Sequence, residues 1–271
     1  MNNRKVYALL TRKCNLTCPY CDVKGMEDNF NKDKFFNELR KFNGKIVLFG
    51  GEPTLYRDRL KDVLYSDIMI RKKISSMTTN LMILDDEMIK IFKDIGSIGT
   101  SWNPDRFRDN EYDTWVKHLN IIDGEITVRV LVTMTFDLLN MKPSDVINII
   151  SKWNNKTVTS IMFENLIDEK VDKEYFKHVD DWLCEIYDLW DLPMKFISNP
   201  GDEHIRCFDC SEVYHLAPDG TLNKGCPHTQ HLYVPDKCYT CKLSGICSPC
   251  RLQKYCSVPI NLHKKILESK R

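Results

Sequence analysis

The sequence predicts an α/β fold in which a parallel sheet is followed by a small cysteine-rich unit. Three observations predict it. Over residues 1–168, six short apolar or β-branched runs alternate with amphipathic stretches, the pattern of parallel strands joined by right-handed helical crossovers. Three cysteines, Cys14, Cys18 and Cys21, follow directly on the first apolar run. Eight more crowd into the 50 residues from Cys207 to Cys256. The expected division is an α/β unit over 1–168, a helical linker over 169–200, a cysteine-rich unit over 201–260 and a tail over 261–271.

Composition limits what such a chain does. Hydrophobic residues make up 42% of 271 positions, enough for a buried core. The net charge of +1 is spread through both signs, so a dedicated nucleic-acid surface is not expected. No basic start followed by an apolar run marks a signal peptide, and no stretch approaches the roughly 18 apolar residues of a membrane helix. A soluble, cytoplasmic protein without a membrane partner is the expectation. In that compartment twelve cysteines argue for metal ligation rather than disulfides. The basic stretch Lys264–Arg271 reads as a solvated terminal helix.

Residues 5–11 read as a buried strand, with the three cysteines at its C-terminal end, where parallel sheets gather ligands. Phe35, Phe36, Leu39 and Phe42 place a helix over 33–42. The strand 45–49 runs straight into Gly50-Gly51-Glu52-Pro53. A helix over 57–66 leads to a strand over 73–79 that ends at Asn80, and Asp85 is the expected N-cap of a helix reaching about Asp94. The stretch 97–104 reads as a strand broken by Pro104, and 109–122 as a helix. Residues 126–133 are the most β-branched run. Pro143 suits the first turn of a helix running to Trp153, and 157–164 is the sixth strand. From Asp172 to Trp190 one apolar stripe marks a helix, with Cys184 inside it as a small core residue. Pro193, Pro200 and Gly201 mark the linker. Periodicity alone does not separate an open sheet from an incomplete barrel.

Three thiolates on one loop are enough to bind one metal centre. A cubane iron–sulfur cluster takes four, so three leave one iron open to an outside ligand, as catalytic metal sites keep a position open. The spacing by itself also suits zinc. Glycines such as Gly50 and Gly51 let a backbone approach a cofactor closely, and a carboxylate at Glu52 is suited to accept from an ammonium group. Alone, the tetrapeptide is also an ordinary turn after a strand.

Together, the Cys14-x3-Cys18-x2-Cys21 loop with Tyr20 at its aromatic position and the Gly50-Gly51-Glu52-Pro53 segment resemble the radical S-adenosylmethionine (SAM) superfamily. The resemblance implies a partial (β/α)6 barrel over 1–168, with SAM chelated to the open iron and its ammonium received by Glu52. It places Ser101 and Asn103 where relatives carry a Ser-x-Asp-like pair touching the SAM carboxylate or ribose, with Asn103 replacing the acid; core packing or turn chemistry accounts for each equally well. Arg129 stands where some relatives pair a base with the SAM carboxylate; an exposed strand arginine is the alternative reading.

The C-terminal cysteines run Cys207-x2-Cys210, Cys226, then Cys238-x2-Cys241-x5-Cys247-x2-Cys250-x5-Cys256. Eight thiolates suit two four-cysteine sites, and spacing alone permits two zincs. Pro218-Asp219-Gly220 predicts a β-hairpin, expected to bring Cys210 and Cys226 together. With that hairpin the run resembles the SPASM extension of many radical SAM enzymes, which holds two auxiliary [4Fe–4S] clusters. The resemblance implies Cys207, Cys210, Cys226 and Cys250 on the first and Cys238, Cys241, Cys247 and Cys256 on the second. The sequence departs from the pattern: Gly220 to Cys226 is one residue long, Cys247 to Cys250 is one short, and the gap to Cys256 is short as well. Pro227 and His228 follow Cys226 where sulfatase-maturing relatives carry an aspartate base. That weakens a serine- or cysteine-oxidising role, although His228 is itself able to take a proton.

The implied activity is reductive cleavage of SAM and hydrogen abstraction from a substrate, with three [4Fe–4S] clusters and an external one-electron donor of flavodoxin or ferredoxin type. A peptide or protein side chain, oxidised or cross-linked, is the expected substrate. Only 13 residues precede Cys14, so a leader-peptide-binding protein is expected to be separate, or the substrate to be smaller. A small-molecule dehydrogenase of sugar-alcohol type is the enzymatic alternative, and a zinc-binding interaction module the non-enzymatic one.

Overall fold

A computed structural model describes residues 4–21, 29–122, 124–154, 156–166, 171–198, 213–224 and 260–269. Its strands are β1 (Lys5–Leu9), β2 (Lys45–Phe49), β3 (Ile74–Thr78), β4 (Ser97–Ser101), β5 (Thr127–Met134), β6 (Val158–Asn165), β7 (Lys195–Ser198), β8 (Val213–Leu216) and β9 (Leu222–Lys224). They form one sheet in the order β7-β6-β5-β4-β3-β2-β1-β8-β9. Every neighbouring pair is parallel except β8 with β9. The helices are α1 (Lys32–Lys41), α2 (Arg57–Tyr65), α3 (Ile68–Arg71), α4 (Asp86–Ile95), α5 (Glu111–Ile121), α6 (Phe136–Leu139), α7 (Pro143–Ile150), α8 (Lys173–Asp188) and α9 (Ile260–Ser269).

The two-residue period of the strands sorts the sheet into faces. Val6, Ala8, Ile46, Leu48, Met77, Ile98, Val128, Val130 and Ile161 are buried in one continuous core with Phe35, Leu60, Phe92, Trp115 and Val146 of the helices. Their neighbours Tyr7, Val47, Thr78, Gly99, Ser101, Arg129 and Leu131 therefore lie on the other face. The C-terminal ends of β1 to β5 all point to one rim, where the cysteine loop sits.

Local chemistry explains the helix starts. Asp85 accepts from Met88 N and begins α4 as expected, and Gly96 (φ 77°) ends it in the left-handed region. Pro143 occupies the first turn of α7. That helix stops at Ile150 rather than Trp153, because Trp153 turns inward against Trp102 and Trp115.

Three features differ from the expectation. First, β7 is a seventh parallel strand inside the stretch expected to be only a helical linker. Four residues after Pro193 carry too little pattern to read as a strand, and pairing with β6 creates it. Second, the Pro218-Asp219-Gly220 hairpin forms, with Gly220 at φ 86°, but β8 also pairs with β1. The hairpin thus extends the sheet. The Cα of Gly220 packs so tightly on α1 that a Cβ would lie 2.4 Å from Lys34 Cβ. Third, α9 is docked on one side rather than solvated all round: Leu262 is fully buried, and Asn261 N and Leu262 N donate to the Asp180 carboxylate of α8. Among the described residues no helix is long and apolar enough to cross a membrane.

Candidate functional site

The cysteine loop leaves β1 and is clasped at once by the segment leaving β2. Gly51 N donates to Thr11 O and Glu52 N to Lys13 O, both at 2.8 Å. The clasp requires glycine. A Cβ at Gly50 (φ 150°) would lie 2.4 Å from Thr11 O, and one at Gly51 2.3 Å from Lys13 O. The close approach these glycines allow is thus to the cysteine loop itself, not to open cofactor space.

Glu52 is fully buried. Its Oε1 accepts from Thr54 N (3.0 Å), Thr54 Oγ (2.7 Å) and Thr79 Oγ (2.9 Å), and its Oε2 from Asn80 N (2.5 Å). Burial pushes its pKa above the ordinary carboxylate range, and the four donors pull against that shift. The carboxylate therefore ties the turn at Pro53–Leu55 to the end of β3. Oε1 is saturated, while Oε2 keeps acceptor capacity. Pro53, buried, opens that turn.

Asn80 continues the network to the thiols. Its Nδ2 donates to Asn15 Oδ1 (2.6 Å) and to Cys14 Sγ (3.6 Å), and Leu16 N also donates to Cys14 Sγ at 3.4 Å. Cys18 is buried, whereas Cys14 and Cys21 are exposed. Burial raises the Cys14 and Cys18 thiols, and each of the two feels the charge of its neighbours in the loop. A bound metal removes that obstacle, since its ligands are deprotonated on binding. No group of three or more His, Cys, Asp or Glu side chains among the described residues is arranged to hold a single ion.

Tyr20 and Asn103 meet on the other side of the loop. The Tyr20 hydroxyl donates to Asn103 Oδ1 (3.2 Å) and accepts from Arg106 Nη1 (3.5 Å); burial pushes its pKa up to about 12. Asn103 is buried, and it pairs with the Thr133 backbone through both ends of its amide: Thr133 N donates to Oδ1 and Nδ2 donates to Thr133 O. The amide suits this position, because a carboxylate has no hydrogen to give Thr133 O. It also explains why β4 ends at Ser101, with a side chain taking over the pairing.

Ser101 is half-buried on the face opposite Thr100, whose hydroxyl accepts from Trp115 of the covering helix. Arg129 is exposed on that same open face, with its Nε on Ser160 Oγ at 3.4 Å. It pairs in register with Gly99, two residues below Ser101 along β4. The structure thus gathers Cys14, Cys18, Cys21, Tyr20, Gly50, Gly51, Glu52, Pro53 and Asn103 at one rim. Ser101 and Arg129 lie on the open face of the sheet.

Three members were not singled out by sequence reasoning. Asn80 was legible only as the polar residue closing a strand. Leu81 sits at φ 60° with its side chain fully buried, a costly conformation for leucine, held by Leu81 N on Thr79 Oγ and by His118 Nδ1–H on Leu81 O. Arg106 follows the β4 exit and leaves its Nε buried without a partner. A thiol loop, a donor already on one sulfur and an unpartnered guanidinium nitrogen beside it together fit an anionic metal centre. Cys184 is half-buried on α8 against the core, as expected. Cys207, Cys210, Cys226, Cys238, Cys241, Cys247, Cys250 and Cys256, with Pro200, Gly201 and His228, lie outside the described residues.

Comparison with known proteins agrees with this geometry. Over 95 residues the chain is 30% identical to an Fe-coproporphyrin III synthase of Methanosarcina barkeri (strain Fusaro / DSM 804), covering 32% of this chain and 23% of that protein. The crystal structure of Streptococcus suis SuiB bound to S-adenosylmethionine superposes with a TM-score of 0.58 and 14% identity, over 90% of this chain and 70% of that one. It shares the fold. Residues 9–130, from the end of β1 through β5 as far as Val130, match the Radical SAM superfamily and so carry a radical SAM superfamily domain.

Proposed function

We propose that this chain is a radical SAM enzyme that cleaves SAM reductively and removes a hydrogen from a peptide or protein side chain, oxidising or cross-linking it. The observation that carries the reading is the clasp: a three-cysteine loop held to Gly51 and Glu52 at the strand C-termini, within the matched residues 9–130. When bound at Cys14, Cys18 and Cys21, a [4Fe–4S] cluster supplies the electron and the open iron that this chemistry needs.

The chain's own residues do the holding. Asn80 orients Cys14, Glu52 fixes Asn80, and Tyr20 braces the loop against Asn103. In this reading Glu52 Oε2 receives the ammonium group of SAM, and Ser101 and Arg129, both on the open face, receive its carboxylate or ribose end. In this reading the eight C-terminal cysteines would hold two auxiliary clusters, which would supply an acceptor for the substrate electron. The partner this chemistry calls for is an external one-electron donor of flavodoxin or ferredoxin type. One observation favours a small-molecule substrate as the second reading: the 95-residue match is to a protein named for an iron coproporphyrin.

Iron and acid-labile sulfide per chain after anaerobic reconstitution, with dithionite-driven 5′-deoxyadenosine release, test the proposal. About twelve irons with SAM cleavage support it in full. About four irons with about two zincs keep the radical chemistry and remove the electron-acceptor role. No iron sinks it.

A further inference from the structure

We propose that Arg106 is the fixed counter-cation of the Cys14-Cys18-Cys21 centre, a positioning residue that raises the reduction potential of the cluster bound there. The inference rests on the radical SAM reading and adds a residue that the motifs do not contain.

Arg106 enters the site from the loop after β4, where its N–H donates to Asn103 O (3.2 Å). Its Nη1 reaches the Tyr20 hydroxyl, in the segment between Cys18 and Cys21, and its Cζ stands 5.6 Å from the Phe107 ring centroid. Among the described residues no carboxylate is ion-paired with it, and its Nε is buried with no acceptor. The adjacent Asp105 feels the Arg106 charge but forms no ion pair with it among the described residues, and its Oδ1 is buried without a partner.

A guanidinium stays protonated at any working pH, and a charge out of water is costly unless something of opposite sign faces it. The groups whose charge acts on it are Tyr20 first and then the Cys18 and Cys14 thiols, and Tyr20, which it touches, stands between Cys18 and Cys21 in the loop. A cluster held by three thiolates concentrates negative charge at that spot. A fixed cation beside it stabilises the more negative, reduced state, and local charge is one of the terms that set cluster potentials.

The test is a redox titration of the full-length, reconstituted chain, following by EPR the signal that SAM perturbs, in wild type, Arg106→Met and Arg106→Lys. Arg106→Met is expected to lower the ratio of reduced to oxidised cluster at a fixed potential about tenfold, about 59 mV for a one-electron couple, while Arg106→Lys stays within about threefold of wild type. Loss of iron from Arg106→Met alone also supports a charge role. An unchanged titration in Arg106→Met with full iron overturns the inference, as does equal iron loss from both variants, which would mark Arg106 as packing. A wild-type chain that takes up no iron overturns the radical SAM reading itself and is recognised before any variant is compared.

Discussion

Two buried carboxylates, one in each half of the sequence, hold this molecule together. Glu52 is fully buried and accepts from two backbone N–H groups and two hydroxyls around the cysteine loop. Asp180 is 8% exposed and accepts from the Asn261 and Leu262 N–H groups in the first turn of α9. Neither is ion-paired with a cation among the described residues. Both show how directed donors satisfy a buried carboxyl group in place of water. They differ in reach. Glu52 joins β2, β3 and the cysteine loop into one network, whereas Asp180 caps a single helix from outside it.

The sharpest way to break that comparison is Glu52→Ala. Removing the acceptor leaves four donors unsatisfied at about 1–3 kcal/mol each before relaxation, so a loss above about 3 kcal/mol is expected in urea unfolding, with iron binding lost alongside. Weak SAM binding by an otherwise stable protein would instead make Glu52 a ligand first and a structural group second. Glu52→Gln is gentler and tests the charge. Because burial raises the Glu52 pKa, the folded state releases that proton at higher pH than the unfolded chain, and stability tied to it falls as pH rises through that window. Glu52→Gln should remove that fall.

Gly51→Ala tests the clasp rather than the carboxylate. A Cβ there meets backbone at 2.3 Å, which no side-chain rotation relieves. A loss of about 2–3 kcal/mol is expected, together with fewer irons per chain. Wild-type stability and iron content would show that the loop is not fastened there.

Asp180→Ala should cost less, about 1–2 kcal/mol, the range of a lost N-cap. The readout is local: faster hydrogen exchange at the start of α9, with SAM binding unchanged. Asp85→Ala is the smallest, about 1 kcal/mol, since Asp85 caps α4 in solvent beside Arg57. The Met88 N–H, followed by Arg57, holds its pKa below the ordinary 3.8. Its contribution is therefore present above that value and lost as pH falls through the lower folded one, so wild type and variant should converge in acid.

Motifs made part of this legible. Cysteine spacing and Gly50-Gly51-Glu52-Pro53 pointed to the rim because each is local in the chain. The β-branched run at β5 and the Asp85 cap were legible for the same reason. Asn80, Arg106 and Asp180 were not, since each acts on residues far away in sequence: Asn80 on Cys14, Arg106 on Tyr20, Asp180 on Leu262. An acid within the apolar stripe of α8 looks like any solvent-facing position until α9 covers it.

By itself the sequence determined the alternation of strands and helices, the thiol loop at the end of β1 and the glycine-rich exit of β2, because periodicity, turn chemistry and ligand spacing are properties of neighbouring residues. Tertiary structure decided the rest. It made a strand of Lys195–Ser198, joined the hairpin to β1 and turned the two glycines toward the cysteine loop. It also committed Asn103 to the Thr133 backbone and set a buried, unpartnered guanidinium nitrogen beside the thiols. Each of these depends on which donor, acceptor or edge arrives from a distant segment, and burial gives those meetings their energy.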